Sequence, residues 1–206
     1  MSTVYLVDDD EHLLKALSRL LRAKGYDVRP FASAEDFLVG HDPAIPGCAI
    51  FDLSMSGIDG LALQQILVRR GVPRPIIFLT GKGDIPATVR AIKAGAIDFL
   101  TKPVRKDDLL RAISHAEEAD AKTRRAGVEL AAVKARIDSL TPREREVLSH
   151  VVAGRLNKQI AGDLGTVEKT IKFHRGRMMQ KLGVRTVADL VRLAEKAGIS
   201  TGRSKP

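Results

Sequence analysis

A short apolar run followed by a stretch of helical period opens the chain, and that pairing recurs five times. VYLV, Val4 to Val7, precedes a segment in which Leu13, Leu14, Leu17, Leu20 and Leu21 share one face and Gly25 ends the pattern. Val28 to Phe31 is the second run, followed by a short helix from Ala34 to Val39 opened by Ser33. CAIFD, ending at Asp52, is the third, and Leu61, Leu63, Ile66 and Leu67 pattern a helix from Leu61 to Arg70. PIIFLT, Pro75 to Thr80, precedes a helix from Pro86 to Ala94 closed by Gly95. IDFLTKP, Ile97 to Pro103, precedes a helix from Asp107 to Ala119. Continuous apolar runs, rather than strict alternation, mark strands buried on both faces. Five strand–helix repeats predict a doubly wound five-stranded parallel sheet over residues 1–119.

Beyond residue 119 only the helical period remains. Leu130, Val133, Ile137 and Leu140 form one narrow stripe across 120–139, which predicts a linker helix able to pack on a partner or on itself. Gly127 leaves a broken and a continuous helix equally open. The last domain, 140–199, starts with LTPRERE, where Thr141 as cap, Pro142 at the first helical position and Glu144 three after the cap predict a capping box. Val147, Leu148, Val151 and Val152 are its buried face, and Gly154 ends the helix. Asn157 to Leu164, Glu168 to Leu182 and a helix started by Thr186 follow, separated by Gly165 and Gly183. The fold class is therefore α/β plus all-α, with a helix-turn-helix arrangement in the second part and a tail at 200–206.

Charge sharpens this division. Met1 to Asp120 carries 15 Lys/Arg against 17 Asp/Glu, a balance of −2, whereas Ala121 to Pro206 carries 19 against 8, a balance of +11. A basic unit beside a near-neutral one points to a polyanion partner for the second. Cys48 is the only cysteine, so a disulfide framework and a Cys-rich metal site are excluded, and no apolar stretch is long enough to cross a bilayer. Together these point to a reducing cytoplasm and no membrane partner.

The chemistry gathers at strand ends. Asp52 closes the third run, and alone it reads equally as a cap for the helix near Gly60. Asp8 and Asp9 stand after the first strand, Thr80 ends the fourth, and Lys102-Pro103 ends the fifth. In an open α/β sheet these positions line one crevice. Crowded carboxylates require a cation, and an all-oxygen donor set suits Mg²⁺. Asp9, Asp52 and the main-chain carbonyl of Ser54 are candidate ligands, and an Asp carboxylate can act as a nucleophile toward phosphorus. Lys102 would offset charge on the transferred group and Thr80 would hydrogen-bond it.

With Asp8-Asp9, Asp52, Thr80, Lys102-Pro103, MSGIDG and GDIPATVRAIKAGAIDFL in order, residues 1–119 resemble the receiver domain of two-component response regulators of the FixJ/NarL type. The resemblance implies that Asp52 is the phosphoacceptor, that Asp8 and Asp9 form the acidic Mg²⁺ pocket, and that Lys102 pairs with the phosphoryl group. It also implies Thr80 and Phe99 as switch residues and a cis bond at Pro103. Two departures stand out: Ser56 replaces the proline of the usual MPG, which removes a fixed φ, and Lys82 puts a second cation two residues past Thr80.

The outward face of the 168–182 helix carries Lys169, Lys172, Phe173, Gly176, Arg177 and Gln180, while Ile171, Met178 and Leu182 face inward. Cations, one apolar ring and a glycine suit a major groove, with Lys169, Lys172 and Phe173 as candidates for base edges and Gly176 leaving space. Lys158, Thr170, Arg175 and Lys181 are candidates for phosphate contacts. LTPREREVL, NKQIAGDLG, EKTIKFHR and KLGVRT resemble the LuxR-type helix-turn-helix output domain. Val167 stands where that family has a capping Ser or Thr, with Thr166 one place early, so the cap register stays open.

The combined resemblance implies a regulator of transcription that takes phosphate from a sensor histidine kinase, forms a homodimer and binds a double-stranded DNA operator, with RNA polymerase as a further partner. It implies no enzyme activity beyond the protein's own phosphoryl transfer and autodephosphorylation. The competing readings are a constitutive DNA-binding regulator and a phosphatase forming an aspartyl phosphate. The second is opposed by LSM after Asp52, which offers no second acid as proton donor. An RNA target is opposed by the lack of an aromatic stacking platform.

Overall fold

The computed structural model describes residues 2–81 and 85–199, with the side chains of 85–88 outside that description. Lys82 and the tail at 200–206 lie outside the described residues. The chain divides into two compact units, Met1–Arg124 and Arg125–Pro206.

In the first unit strands and helices alternate as β1 (Thr3–Val7), α1 (Glu11–Arg22), β2 (Asp27–Phe31), α2 (Ala34–Gly40), β3 (Gly47–Asp52), α3 (Gly60–Arg69), β4 (Ile76–Thr80), α4 (Ile85–Lys93), β5 (Asp98–Thr101) and α5 (Lys106–Asp138). The sheet is parallel throughout in the order β2-β1-β3-β4-β5. Because successive side chains alternate across a strand, Leu6, Ile50, Ile77 and Leu79 meet α1 and α5, through Leu14, Leu17, Leu21, Leu109 and Ile113. Tyr5, Phe51 and Phe78 meet the other face, with Phe37, Leu63, Leu67 and Ala91. Burial of both faces is why the strands read as unbroken apolar runs. The order reverses at β1, which has β2 on one side and β3 on the other, and opens a crevice beyond the carboxyl ends of β1 and β3.

Local signals set the helix starts. Asp10 accepts from the His12 and Leu13 amides at the head of α1, and Ser33 accepts from the Asp36 amide at the head of α2. The cap of α3 is Asp59, which accepts from the Ala62 amide, so the capping alternative for Asp52 falls away. A side chain at Gly60 would collide with the Asp52 carbonyl and crowd Phe78, so only glycine lets α3 start against the end of β3. Two of the boundary differences from the sequence reading have a plain physical cause. β5 ends at Thr101 rather than Pro103, since Pro103 has no N–H to extend the ladder. α5 continues to Asp138, through the stretch read as a separate linker. Gly127 costs a helix interior only about 1 kcal/mol, which its Ala-, Glu-, Lys- and Arg-rich surroundings offset.

The second unit holds the rest of α5 and α6 (Pro142–Val152), α7 (Asn157–Asp163), α8 (Glu168–Leu182) and α9 (Val187–Lys196). Val147, Leu148, Val151, Ile160, Ile171, Met178, Leu182 and Leu190 form its core, with Ile137 of the linker stripe packed against it. Lys196 pairs with Glu129 at 2.6 Å and Arg136 donates to the Leu182 carbonyl at 3.4 Å, so the stripe is tied to its own unit. The capping box of Thr141 and Glu144 is complete. Gly183 ends α8 with φ +69°, a left-handed conformation that favours glycine.

Candidate functional site

The crevice beyond β1 and β3 collects the acids by topology alone. Asp8 directly follows β1 and Asp52 ends β3, and these strands pair side by side, so residues 44 apart in sequence share one site. Asp8 is 3 % exposed and Asp52 5 %, while Asp9 stands at the surface. Oxygens of all three lie within 4.8 Å of one another. Lys102 reaches in from the end of β5, its Nζ 2.7 Å from Asp8 Oδ2 and 3.0 Å from Asp52 Oδ1. The Lys102-Pro103 bond is cis.

The electrostatics follow from this crowding. Burial pushes the Asp52 carboxyl above its usual range, against the pull of the Lys102 ammonium, and the Asp8 and Asp9 charges push in the same direction as burial. Burial also draws Lys102 down, but its bonds to Asp8 and Asp52 outweigh that and hold the ammonium above its usual range. Three carboxylates against one ammonium leave an excess of negative charge in a confined space, a donor set that fits a hard divalent cation.

Two further bonds orient the acids. The Asp10 amide donates to Asp8 Oδ1 at 2.9 Å, and the Ser56 amide donates to Asp9 Oδ2 at 3.0 Å. Thr80 is buried at 2 % exposure at the carboxyl end of β4, in register with Thr101. Phe99, half-buried on β5, has its ring 6.1 Å from that of Phe78. Ser54 is exposed two residues beyond Asp52, and Pro103 is exposed at the rim.

On α8, Ile171, Met178 and Leu182 point into the core, as the helical period requires. Lys169, Lys172, Phe173, Gly176, Arg177 and Gln180 are exposed, as is Lys158 on α7, and Thr170 is partly buried. Phe173 is 58 % exposed, with the Arg177 guanidinium 5.3 Å from its ring centre and His174 against its edge. Val167 is the N-cap residue of α8 and gives it no side-chain cap, which settles the register left open by Thr166. Arg175 Nη1 donates to Asn157 Oδ1 at 2.8 Å, linking α8 to α7. Lys181 departs from the phosphate-contact expectation, since its ammonium is 2.6 Å from the buried Glu144 carboxylate. Nothing in the sequence pointed to this acid 37 residues away.

The sequence comparisons bear on both units. The family described as response regulator receiver domain matches residues 4–114, and the bacterial regulatory proteins of the luxR family match 138–194. The chain is a response regulator of the FixJ/NarL type. The regulator is 42 % identical to Nodulation protein W of Bradyrhizobium diazoefficiens, over 98 % of this chain and 89 % of that protein. It is 37 % identical to the transcriptional regulatory protein FixJ of the same organism, over 95 % of this chain and 96 % of FixJ. Its fold is similar to the solved structure of the response regulator StyR, with a TM-score of 0.80 and 45 % identity over 95 % and 98 % of the two chains. The regulator thus pairs a receiver domain with a LuxR-type DNA-binding domain and regulates transcription. Among the described residues no helix is long and apolar enough to cross a membrane.

Proposed function

We propose that the regulator accepts a phosphoryl group on Asp52 from a sensor histidine kinase in the cytoplasm, and that phosphorylation drives dimerisation and operator binding. The observation that carries this reading is the convergence of Asp8, Asp9 and Asp52 with the Lys102 ammonium on two of the three carboxylates. An Asp52 carboxylate oxygen attacks the phosphorus of a phosphohistidine, the P–N bond breaks, and the imidazole leaves with the electron pair. Asp8, Asp9 and Asp52, with the Ser54 carbonyl, would hold a Mg²⁺ ion, which offsets charge on the phosphoryl group when bound. Lys102 exchanges its contact with Asp52 for one with a phosphoryl oxygen, and Thr80 donates its hydroxyl to another. The movement of Thr80 frees Phe99 to change rotamer, altering the surface of α4, β5 and α5. Val89 and Ile92 of α4 and Ile97, just before β5, are exposed apolar residues, and they suit that surface to pairing with a second copy.

Pairing would place two α8 helices on a two-fold operator in double-stranded DNA. Lys169, Lys172 and Phe173 would meet base edges, with Gly176 allowing close approach. Lys158, Thr170, Arg175 and the uncapped amides at the start of α8 would meet phosphates. RNA polymerase would be engaged from the bound dimer. The protein turns over no external substrate in this scheme beyond gaining and losing its own phosphoryl group.

Sedimentation of wild type and Asp52→Ala with Mg²⁺, before and after an acyl phosphate donor, tests the scheme. The expected result is a monomer-to-dimer shift in wild type alone. A wild type that takes phosphate and stays monomeric removes the dimer step. A wild type that takes none makes the constitutive DNA-binding reading the better one.

A further inference from the structure

The three acids of the pocket are held in place by different means. Asp8 has both oxygens engaged, Oδ1 by the Asp10 amide and Oδ2 by Lys102, and Asp52 has Oδ1 engaged by Lys102. Asp9 is too far out for that ammonium and sits at the surface, where an unheld carboxylate samples several rotamers. One residue engages it instead. Ser56 donates its backbone N–H to Asp9 Oδ2 at 3.0 Å and its hydroxyl to the same oxygen at 3.4 Å. Both bonds are charge-assisted, the shorter from the backbone. They cross 47 residues of sequence and join the end of β1 to the loop after β3, the loop that also carries Ser54. Among the described residues, the donors leave Asp9 Oδ1 and Asp52 Oδ2 open.

We infer that Ser56 is a positioning residue for the cation: it holds Asp9 in the ligating arrangement and pins the loop whose Ser54 carbonyl completes the donor set. A proline at 56 offers neither an N–H nor a hydroxyl; any other residue keeps the amide bond to Asp9, and serine adds the second donor. Partners that orient a metal ligand through its other oxygen usually contribute about ten- to a hundred-fold to affinity. Ser56 meets that description for Asp9. The inference rests on the phosphoacceptor reading of the pocket, and the two are separable by measurement.

The experiment is calorimetric titration of unphosphorylated full-length protein with Mg²⁺ at fixed pH and ionic strength. Ser56→Pro is expected to weaken binding about ten-fold, the lower end of that range. Ser56→Ala, which keeps the amide donor, is expected to weaken it about two- to three-fold, and Ser56→Thr, which keeps both donors, to match wild type within about two-fold. A folded wild type that takes up no Mg²⁺ overturns the pocket reading and this inference with it. If wild type binds and Ser56→Pro binds equally tightly or tighter, the pocket stands and Ser56 is not a positioning residue. Should Ser56→Pro fail to fold, amide exchange replaces it. In cation-free protein the Ser56 N–H exchanges slowly, and Asp9→Ala speeds it about ten-fold or more, as loss of a charge-assisted bond requires. Equal exchange in the two proteins overturns the clamp.

Discussion

The acidic pocket of Asp8, Asp9 and Asp52 and the outer face of α8 are both clusters of charge, but they are built in opposite ways. In the pocket the charges are internal: Asp8, Asp52 and Lys102 are largely buried and bonded to one another. On α8 the charges and the Phe173 ring point to solvent, with Arg177 and His174 against that ring. A buried cluster trades solvation for internal pairing, so removing one member leaves the others uncompensated. An exposed cluster has nothing internal to lose, and its energy is realised only against a partner. Chemistry and stability are therefore coupled in the pocket and separated on α8.

Lys102→Met is the strongest way to break that contrast. It leaves three carboxylates with no ammonium, and a loss of about 3 kcal/mol of receiver stability is expected, from the usual cost of orphaning buried charges. Millimolar Mg²⁺ should recover part of that loss, since a cation would again offset the acids. Urea unfolding with and without Mg²⁺ measures both, and an unchanged midpoint in the variant would remove the coupling. The counterpart on α8 is Phe173→Ala, expected to weaken operator binding by about 1–2 kcal/mol, in the range of a single base contact, with an unchanged unfolding midpoint. Lys172→Ala should act in the same direction and lower the salt dependence of binding by about one counterion if it meets a phosphate, or leave that slope alone if it reads a base. Fluorescence anisotropy at several salt concentrations separates these.

A third expected effect concerns a histidine that belongs to neither site. His41 packs against Phe37 and Tyr5 and accepts from Arg74 Nε at 3.1 Å. Burial, reinforced by the Arg74 charge, pushes its pKa from 6.5 down to about 4. Between those two values the unfolded chain takes up a proton that the folded chain refuses. Stability from this residue is complete above about pH 6.5 and declines as the pH falls toward about 4. His41→Gln keeps an acceptor without the titration, so its unfolding midpoint should fall less than that of wild type between pH 7 and 5. Parallel curves for the two proteins would show that His41 does not carry the effect.

Arg74 belongs to an arrangement with no local signature. It donates to the carbonyls of Asp42, Ile45 and Gly47, while Arg124 donates to those of Pro43, Ala44 and Ile45 and pairs with Asp120 at 2.7 Å. Asp120 in turn accepts from the Gly47 amide. Two arginines, one from the middle of the unit's sequence and one from its end, thus hold the loop before β3. Arg124 and Asp120 fall in a charge run that reads as a solvated linker, yet they close the first unit.

Most of what depends on a residue's place within its own element is legible in the sequence alone, though not the run of α5 through Gly127 or the cap of α8. Periods of two and of 3.6 assign each side chain to a face, and caps and glycines mark the ends. The five strands, the inward set of Ile171, Met178 and Leu182, the Thr141–Glu144 box and the acids at strand ends follow from those local rules. The tertiary structure alone decided which distant groups meet. Ser56 on Asp9, Lys181 on Glu144, and the Arg74–Arg124 hold on one loop depend on where separate elements come together. The physical reason is that a hydrogen bond requires two atoms within about 3 Å. Periodicity says which way a side chain faces, but only the packed sheet and bundle say what faces it.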